Sequence, residues 1–147
     1  MDLKLEVVVV PVSDVDRAQE FYEALGVRMD IDHVGDLGFR VVQLTPPGSE
    51  CSIIIGDGIT SAAPGSLQGP AARGADIEAA RSDLVGRGAH VSDSFHDRGG
   101  IFHHLDASSL EPGPDPTRGS CGSFATFQDP DANGGVLQEV RQRAPGR

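Results

Sequence analysis

The chain has 147 residues, a length that a single domain with one hydrophobic core usually occupies, and hydrophobic residues make up 38% of it. Acidic residues outnumber basic ones by 22 to 12, and the resulting net charge of −10 argues against nucleic acid or an anionic membrane as a partner, because both need a basic face. The first ten residues contain an apolar run too short to cross a bilayer and no signal-peptide cleavage site. We therefore expect a cytoplasmic protein whose partners are small molecules.

A strand, a helix and three further strands are predicted in the first half of the chain. The β-branched run at 5–12 predicts a buried strand, and Ser13 or Asp14 then caps a helix. Apolar residues recur at helical spacing after this cap until Gly26, which supplies a left-handed terminal residue. The apolar period then falls to about two, which predicts strands at 27–34, 38–44 and 51–55.

The second half repeats the first. Asp76 aligns with Asp14, and the same shift along the chain aligns Gly88 with Gly26, so a second helix is predicted between Asp76 and Gly88. Strands are predicted after this helix at 89–95, 123–128 and 136–140. Residues 59–68 are rich in Gly, Ser, Ala and Pro and are typical of a linker. The sequence therefore predicts an α+β fold of two tandem βαβββ modules, with module one at 1–58, a linker at 59–68, module two at 69–142 and a tail at 143–147.

Two segments depart from the repeat. Residues 69–73 stand where module two needs its first strand, but a proline and two alanines make a poor central strand, so we expect a short, edge or remodelled strand. Residues 96–122 form an insertion much longer than a hairpin needs, which is typical of a lid or a binding loop.

Three segments resemble one known family: VVVVPVSDVDRAQEFYEALG at 7–26, ADIEAARSDLVGRGAHV at 75–91 and FATFQDPDANGGVLQEV at 124–140. The combination is similar to the vicinal oxygen chelate superfamily of glyoxalases, bleomycin-resistance proteins and extradiol dioxygenases. The resemblance implies that the two modules form half-barrels, a curved mixed sheet around a cavity that holds a ligand and often a divalent metal. It also implies a homodimer, because many short members of this superfamily are homodimers.

Metal-dependent members carry a His, Glu or Gln on the first and last strand of each module. The resemblance assigns three of these positions to Val7, Gly69 and Val136, and the fourth to Ser52 or Cys51. Valine and glycine have no side chain that can ligate a metal, so the standard metal site is predicted to be lost. A slip in the alignment would bring in Gln138, and a divalent metal therefore stays open as an alternative.

The candidate catalytic residues are three histidines and one carboxylate. His96, His103 and His104 fall in the stretch FHDRGGIFHH, where imidazole rings beside aspartates are suited to act as bases or metal ligands. The alternative is a solvated loop with incidental histidines. Glu139, on the last predicted strand, is the fourth candidate.

The candidate ligand-binding residues are amides, aromatic rings and one arginine. A glutamine on a buried strand needs partners, which makes Gln43 and Gln138 either core network residues or ligand contacts. Strand alternation sends Gln138 and Glu139 to opposite faces, so at most one of them points into a cavity. The remaining candidates are Arg98, suited to an anionic group, and Phe39, Phe102 and Phe127, which either stack on a ligand or fill the core.

Two classes of function stay open. The first is metal-independent binding of a small hydrophobic or aromatic molecule, as in the drug-sequestering resistance proteins of the family. The second is a lyase, isomerase or dioxygenase that uses the loop histidines as base or metal ligands. Neither a Ser-His-Asp arrangement nor a phosphate loop nor a dinucleotide fingerprint is present in the sequence, which excludes the common hydrolase and nucleotide-binding classes.

Overall fold

A computed structural model describes residues 1, 3–99 and 107–143. It contains two mixed sheets of four and five strands and two α-helices, which confirms the predicted α+β fold of two modules. The chain divides into two compact units. Unit 1 comprises Met1–Gln68 and Asp129–Asn133, and unit 2 comprises Gly69–Gln128 and Gly134–Arg147. None of the helices in the described ranges is long and apolar enough to cross a membrane.

Unit 1 contains one helix and a four-stranded sheet. The elements are β1 (Val7–Val9), α1 (Val15–Ala24), β2 (Arg28–Val34), β3 (Arg40–Thr45) and β4 (Ser52–Asp57), and the strand order is β1-β4-β3-β2. β1 runs parallel to β4, whereas β3 is antiparallel to both of its neighbours. The predicted first strand at 5–12 was too long: Leu5 is exposed, and Pro11 has no N–H with which to continue the ladder.

One face of this sheet carries the core of unit 1. α1 places Val15 and Ala18 against this face of the sheet. The buried residues there are Val42 and Leu44 of β3, Ile55 of β4 and Val10, which directly follows β1. Because successive strand residues point to opposite faces, the residues between these positions lie on the face opposite α1.

Unit 2 repeats this arrangement and adds a strand. Its elements are β5 (Gln68–Gly74), α2 (Ile77–Gly86), β6 (Phe95–Asp97), β7 (Leu110–Pro112), β8 (Ser123–Gln128) and β9 (Gly134–Glu139). The order β5-β9-β8-β6-β7 matches that of unit 1, with β7 added beyond β6. α2 packs Ile77 against Ala125 and Leu137, which form the core of this unit.

The two helices confirm the internal repeat in detail. α1 and α2 begin at equivalent positions of the repeat, each directly after an aspartate. These aspartates, Asp14 and Asp76, cap their helices by accepting hydrogen bonds from backbone N–H groups of the first turn. Gly26 and Gly88 both follow their helices with positive φ, at 87° and 92°.

The two segments of module two that depart from the repeat both contain strand residues. Residues 69–73 lie within β5, an edge strand of its sheet, as one of the expectations stated. Of the predicted strand at 89–95, Val91 forms an isolated bridge to Phe127, and the regular strand β6 begins at Phe95. The Ser92 hydroxyl accepts a hydrogen bond from the N–H of Thr126, which a backbone carbonyl would accept in a regular pair of strands. The described part of the 96–122 insertion contains β7.

Candidate functional site

The face of the unit 1 sheet opposite α1 combines apolar side chains with one amide, and we call it the Gln43 face. Gln43 lies in β3 between the core residues Val42 and Leu44, and its side chain is half-buried. The pairing register sets Ile31 on one side of Gln43 and Ile54 on the other. The apolar residues that alternation assigns to this face are Val7, Val9, Ile31, Phe39, Val41 and Ile54.

Apolar surface on the Gln43 face is open to solvent. Ile31 is 48% exposed and Val9 is 38% exposed, although both belong to strands of the sheet. Phe39, a predicted ligand contact, directly precedes β3. Its ring and the ring of His33 form a T-shaped pair with 6.5 Å between the ring centroids. Phe39 is also partly exposed, so its ring remains available for stacking.

A row of hydrogen bonds crosses the polar part of the Gln43 face. Gln43 Nε2 donates to Ser52 Oγ at 3.1 Å, and Ser52 Oγ lies 2.7 Å from Thr45 Oγ1. Thr45 in turn donates to the carboxylate of Asp30. Arg28 and Thr45 donate hydrogen bonds to this carboxylate and hold the pKa of Asp30 below its ordinary value.

Sequence reasoning identified Gln43 but missed its hydrogen-bonded partners. Ser52 and Thr45 share its face by alternation, a signal that the sequence does contain. Asp30 reaches Thr45 because a β-bulge lies between Met29 and Ile31, and nothing in the local sequence predicts that bulge.

The face of the unit 2 sheet opposite α2 carries the second predicted amide. Gln138 lies on β9 beside Phe124 of β8 and is half-buried. Its Nε2 donates to the Cys121 carbonyl at 3.4 Å. The ring of Phe124 stacks on that of Phe95 with 5.9 Å between centroids. The same face therefore presents an amide beside an aromatic pair.

Glu139 points the other way, towards α2, and is fully buried. Its Oε2 accepts hydrogen bonds from the Ile77 N–H at 3.0 Å and from Arg118 Nη2 at 2.6 Å. Arg141 Nε lies 3.3 Å from Oε1. The carboxylate thus forms ion pairs with two arginines and accepts the first N–H of a helix, which are contacts that stabilise the fold.

Phe127 and Arg98 also have partners in unit 2. Phe127 packs against the core cluster of Ile77, and its ring lies so close to Gly135 that a Cβ there would approach within 2.4 Å. Arg98 Nε donates to Glu111 Oε1 at 2.8 Å. Both are predicted ligand contacts, and the structure gives each of them an interaction within its own unit.

His96 joins the same carboxylate as Arg98. Its Nδ1 lies 2.9 Å from the Gly113 carbonyl oxygen and its Nε2 lies 3.2 Å from Glu111 Oε2. Both ring nitrogens therefore already have oxygen partners within unit 2. Arg98, and then His96, hold the pKa of Glu111 below its ordinary value. The other predicted loop residues, Phe102, His103 and His104, lie outside the described residues.

The positions that the resemblance assigns to metal ligands do not offer a metal-binding donor set. Val7 lies on β1, Gly69 on β5 and Val136 on β9, and none of them carries a donor atom in its side chain. The hydroxyl of Ser52 is engaged by Gln43 and Thr45. Within residues 3–99 and 107–143, no group of three or more His, Cys, Asp or Glu side chains is placed to hold a metal ion.

Comparison with known proteins finds similar solved structures. No protein-family model matches the sequence, and no curated protein matches it either. TnmS3, an antibiotic binding protein from Streptomyces sp. CB03234, is 28% identical with a TM-score of 0.67, over 95% of this chain and 97% of that chain. A glyoxalase/bleomycin resistance protein from the same strain is 29% identical with a TM-score of 0.63, over 92% of this chain and 99% of that one.

The solved structures that this chain resembles are members of the glyoxalase/bleomycin resistance group, and the chain has the fold of the vicinal oxygen chelate superfamily. A further superfamily member, from Sphaerobacter thermophilus DSM 20745, shares the fold with a TM-score of 0.66 at 24% identity, over 93% of this chain and 97% of its own. The superfamily predicted from the three sequence segments is thereby confirmed. What vicinal oxygen chelate proteins share is a scaffold, so the function must be argued from the faces of its sheets.

Proposed function

We propose that this protein binds a small hydrophobic or aromatic molecule and does so without the metal ion of its metal-dependent relatives. The main support for this proposal is the 28% identity, over 95% of this chain, with an antibiotic binding protein. The composition of the Gln43 face supports it, because small-molecule sites are mostly apolar and aromatic with a few placed polar groups.

Binding without a metal is supported by the donor atoms at hand. Val7, Gly69 and Val136 stand where the resemblance places ligands, and hydrocarbon side chains cannot coordinate a cation. The fourth position falls on Ser52, whose Oγ already exchanges hydrogen bonds with two neighbours, or on Cys51, whose thiol donates to the Ser52 carbonyl oxygen at 3.6 Å. The residues present therefore do not fit the metal site of the family.

An enzyme of the lyase, isomerase or dioxygenase type has less support among the described residues. His96 is the histidine of the predicted catalytic set that lies in the described part, and both of its nitrogens face oxygen partners. A free base needs one ring nitrogen turned towards its substrate. We therefore place binding ahead of catalysis.

A matched pair of lysine substitutions tests whether the ligand lies on the Gln43 face. Ile31 and Val85 are 48% and 46% exposed, but Ile31 neighbours Gln43 whereas Val85 lies on α2. The probe is 2-naphthol, whose fluorescence is easily followed because the protein has no tryptophan and one tyrosine. We expect Ile31→Lys to raise the Kd by about tenfold, since a charge replaces apolar contact area.

Val85→Lys should leave that Kd unchanged. If the two variants weakened the affinity for 2-naphthol equally, or if neither did, the ligand would not lie on the Gln43 face.

We also propose that the protein is a homodimer. Val34 and Leu37, at the edge strand β2 and in the turn after it, are 71% and 106% exposed, and a second copy would cover such apolar surface. Light scattering should give twice the 15.4 kDa of one chain, and a monomeric mass at all accessible concentrations would contradict the proposal. The cytoplasmic location stays a prediction from the sequence.

A further inference from the structure

The row of hydrogen bonds on the Gln43 face runs in one direction. Its first member is Asp30, whose pKa is lowered by the hydrogen bonds of Arg28 and Thr45, so at neutral pH this side chain is a carboxylate that only accepts. The hydroxyl of Thr45 has one proton, and it is donated to Asp30.

The direction of the next two bonds follows from this first one. Ser52 Oγ lies 2.7 Å from Thr45 Oγ1, and because the proton of Thr45 is already used, Ser52 must be the donor. The proton of Ser52 is then used as well, so Ser52 accepts its remaining bond, from Gln43 Nε2 at 3.1 Å. If the Gln43 amide were flipped, its oxygen would face another acceptor.

This direction leaves the amide oxygen of Gln43 at the end of the row. Oε1 accepts no hydrogen bond from any other residue in the described ranges. Donation from Nε2 towards a carboxylate draws electron density onto Oε1, because hydrogen bonds in a chain polarise one another. Oε1 is therefore strengthened as an acceptor, while the second N–H of the same amide is weakened as a donor.

We infer that Gln43 is a specificity-determining residue, which selects molecules that carry a hydrogen-bond donor, a phenol, alcohol or N–H, on an apolar or aromatic body. The inference rests on the proposed small-molecule function and adds the polarity of the ligand to it. Ile31 and Ile54 flank the amide, so a ligand without a donor would cover Oε1 and leave it unpaired.

Two probes of similar shape distinguish a ligand that donates a hydrogen bond from one that can only accept a hydrogen bond. 2-Naphthol carries a hydroxyl, and 2-methoxynaphthalene carries an ether oxygen that only accepts. The quantity measured is the ratio of their Kd values, followed by naphthalene fluorescence in each variant. The intrinsic hydrophobicity of the probes cancels when this ratio is compared between variants. One hydrogen bond gained or lost in a sheltered place changes it by about tenfold.

The substitution Thr45→Val should reverse the direction of the hydrogen bond between Ser52 and Gln43, and it leaves Gln43 itself unchanged. Valine has no oxygen to accept the Ser52 proton, so Ser52 is free to donate to Gln43 Oε1 and the amide turns its N–H groups outward. We expect the preference for 2-naphthol over the ether to fall by about tenfold relative to the native protein. Thr60→Val is the matched control, because Thr60 is exposed and its hydroxyl accepts the Ala62 N–H within the same loop, so the native ratio should persist.

Gln43→Met provides a second route to the same answer if Thr45→Val does not fold. It removes the amide and keeps a side chain of similar length, so the ratio should fall here as well. A ratio unchanged in both variants would overturn the inference while 2-naphthol binding upheld the proposed function. Failure of the native protein to bind either probe would overturn the proposed function and the inference together.

Discussion

Glu139 is fully buried, and its carboxylate is shared by Arg118, Arg141 and the first N–H of α2. Glu139→Ala leaves the buried Ile77 N–H without its acceptor, whereas Arg118 and Arg141 are 30% and 48% exposed and can be solvated instead. We predict that Glu139→Ala lowers the free energy of unfolding by about 1–3 kcal/mol, measured by urea denaturation.

The control for that measurement is Glu111→Ala. The carboxylate of Glu111 also bonds an arginine, but its side chain is 41% exposed, so solvent screens the pair and its loss should cost far less stability. Equal losses in the two variants would show that the contacts of Glu139 do not stabilise the fold as described.

Two glycines of unit 2 give a second prediction at the scale of single residues. A Cβ on Gly135 would approach the ring of Phe127 within 2.4 Å, whereas a Cβ on Gly86 would meet no atom within 4 Å. We predict that Gly135→Ala lowers the melting temperature, by a destabilisation of about 1–3 kcal/mol, since the packed ring must move. Gly86→Ala, at the last residue of α2, should be neutral or stabilising. A tolerated Gly135→Ala would mean that Phe127 is not held in the core.

Residues governed by local rules were predictable from the sequence. Asp14 and Gly26 follow from helix start and stop chemistry, and both occupy the predicted positions. Asp30 was not predictable, because its contact with Thr45 depends on a bulge. The partner of Glu139 was missed because Arg118 comes from the long insertion, where its φ of 52° is one that few non-glycine residues adopt.

At the scale of elements, the turn at 129–133 belongs to unit 1 although β8 and β9, which it joins, lie in unit 2. The side chain of Asn133 donates to the Pro11 carbonyl at 2.9 Å and accepts the Leu67 N–H at 3.1 Å. Asp131 accepts hydrogen bonds from Ser13, which directly precedes the capping residue of α1. The sequence predicted a turn here, but its partners are far away along the chain, and no local pattern could identify them.

The contact of this turn with α1 predicts a pH dependence. Burial alone would raise the pKa of Asp131, but hydrogen bonds from Ser13 and the charge of Arg17 outweigh it and hold the pKa below its ordinary value. A carboxyl with a depressed pKa in the folded state stabilises the protein above its unfolded pKa of about 4, and this stabilisation is lost as the pH falls through the folded pKa.

Asp131→Asn should therefore cost about 1–3 kcal/mol at neutral pH and clearly less near about pH 3, measured by urea denaturation at both pH values. The exposed Asp57→Asn serves as the control and should change the stability little at either pH. A cost of Asp131→Asn that is the same at both pH values would contradict a role for the ionised carboxylate.

For the whole molecule, duplication explains why so much of the fold could be predicted. Two helices with equivalent aspartate caps and two sheets with the same strand order follow from a pattern that occurs twice in the sequence. The extra strand β7 could not be predicted, because it lies in the insertion, which has no counterpart in unit 1. Of the candidate site, the sequence predicted Gln43 and Phe39 by residue type and strand position. The direction of the hydrogen-bonded row was not predictable, because it depends on the β-bulge that brings Asp30 to Thr45.

We propose that this vicinal oxygen chelate scaffold binds an aromatic small molecule without a metal. The most direct test is a titration of 2-naphthol into protein stripped with a chelator, repeated after addition of Zn²⁺, Ni²⁺, Mn²⁺ or Fe²⁺. Because Val7, Gly69 and Val136 offer no donor atoms, we predict the same Kd in every case. Binding that disappears on chelation and returns with one of these ions would show that the ligand site depends on a metal.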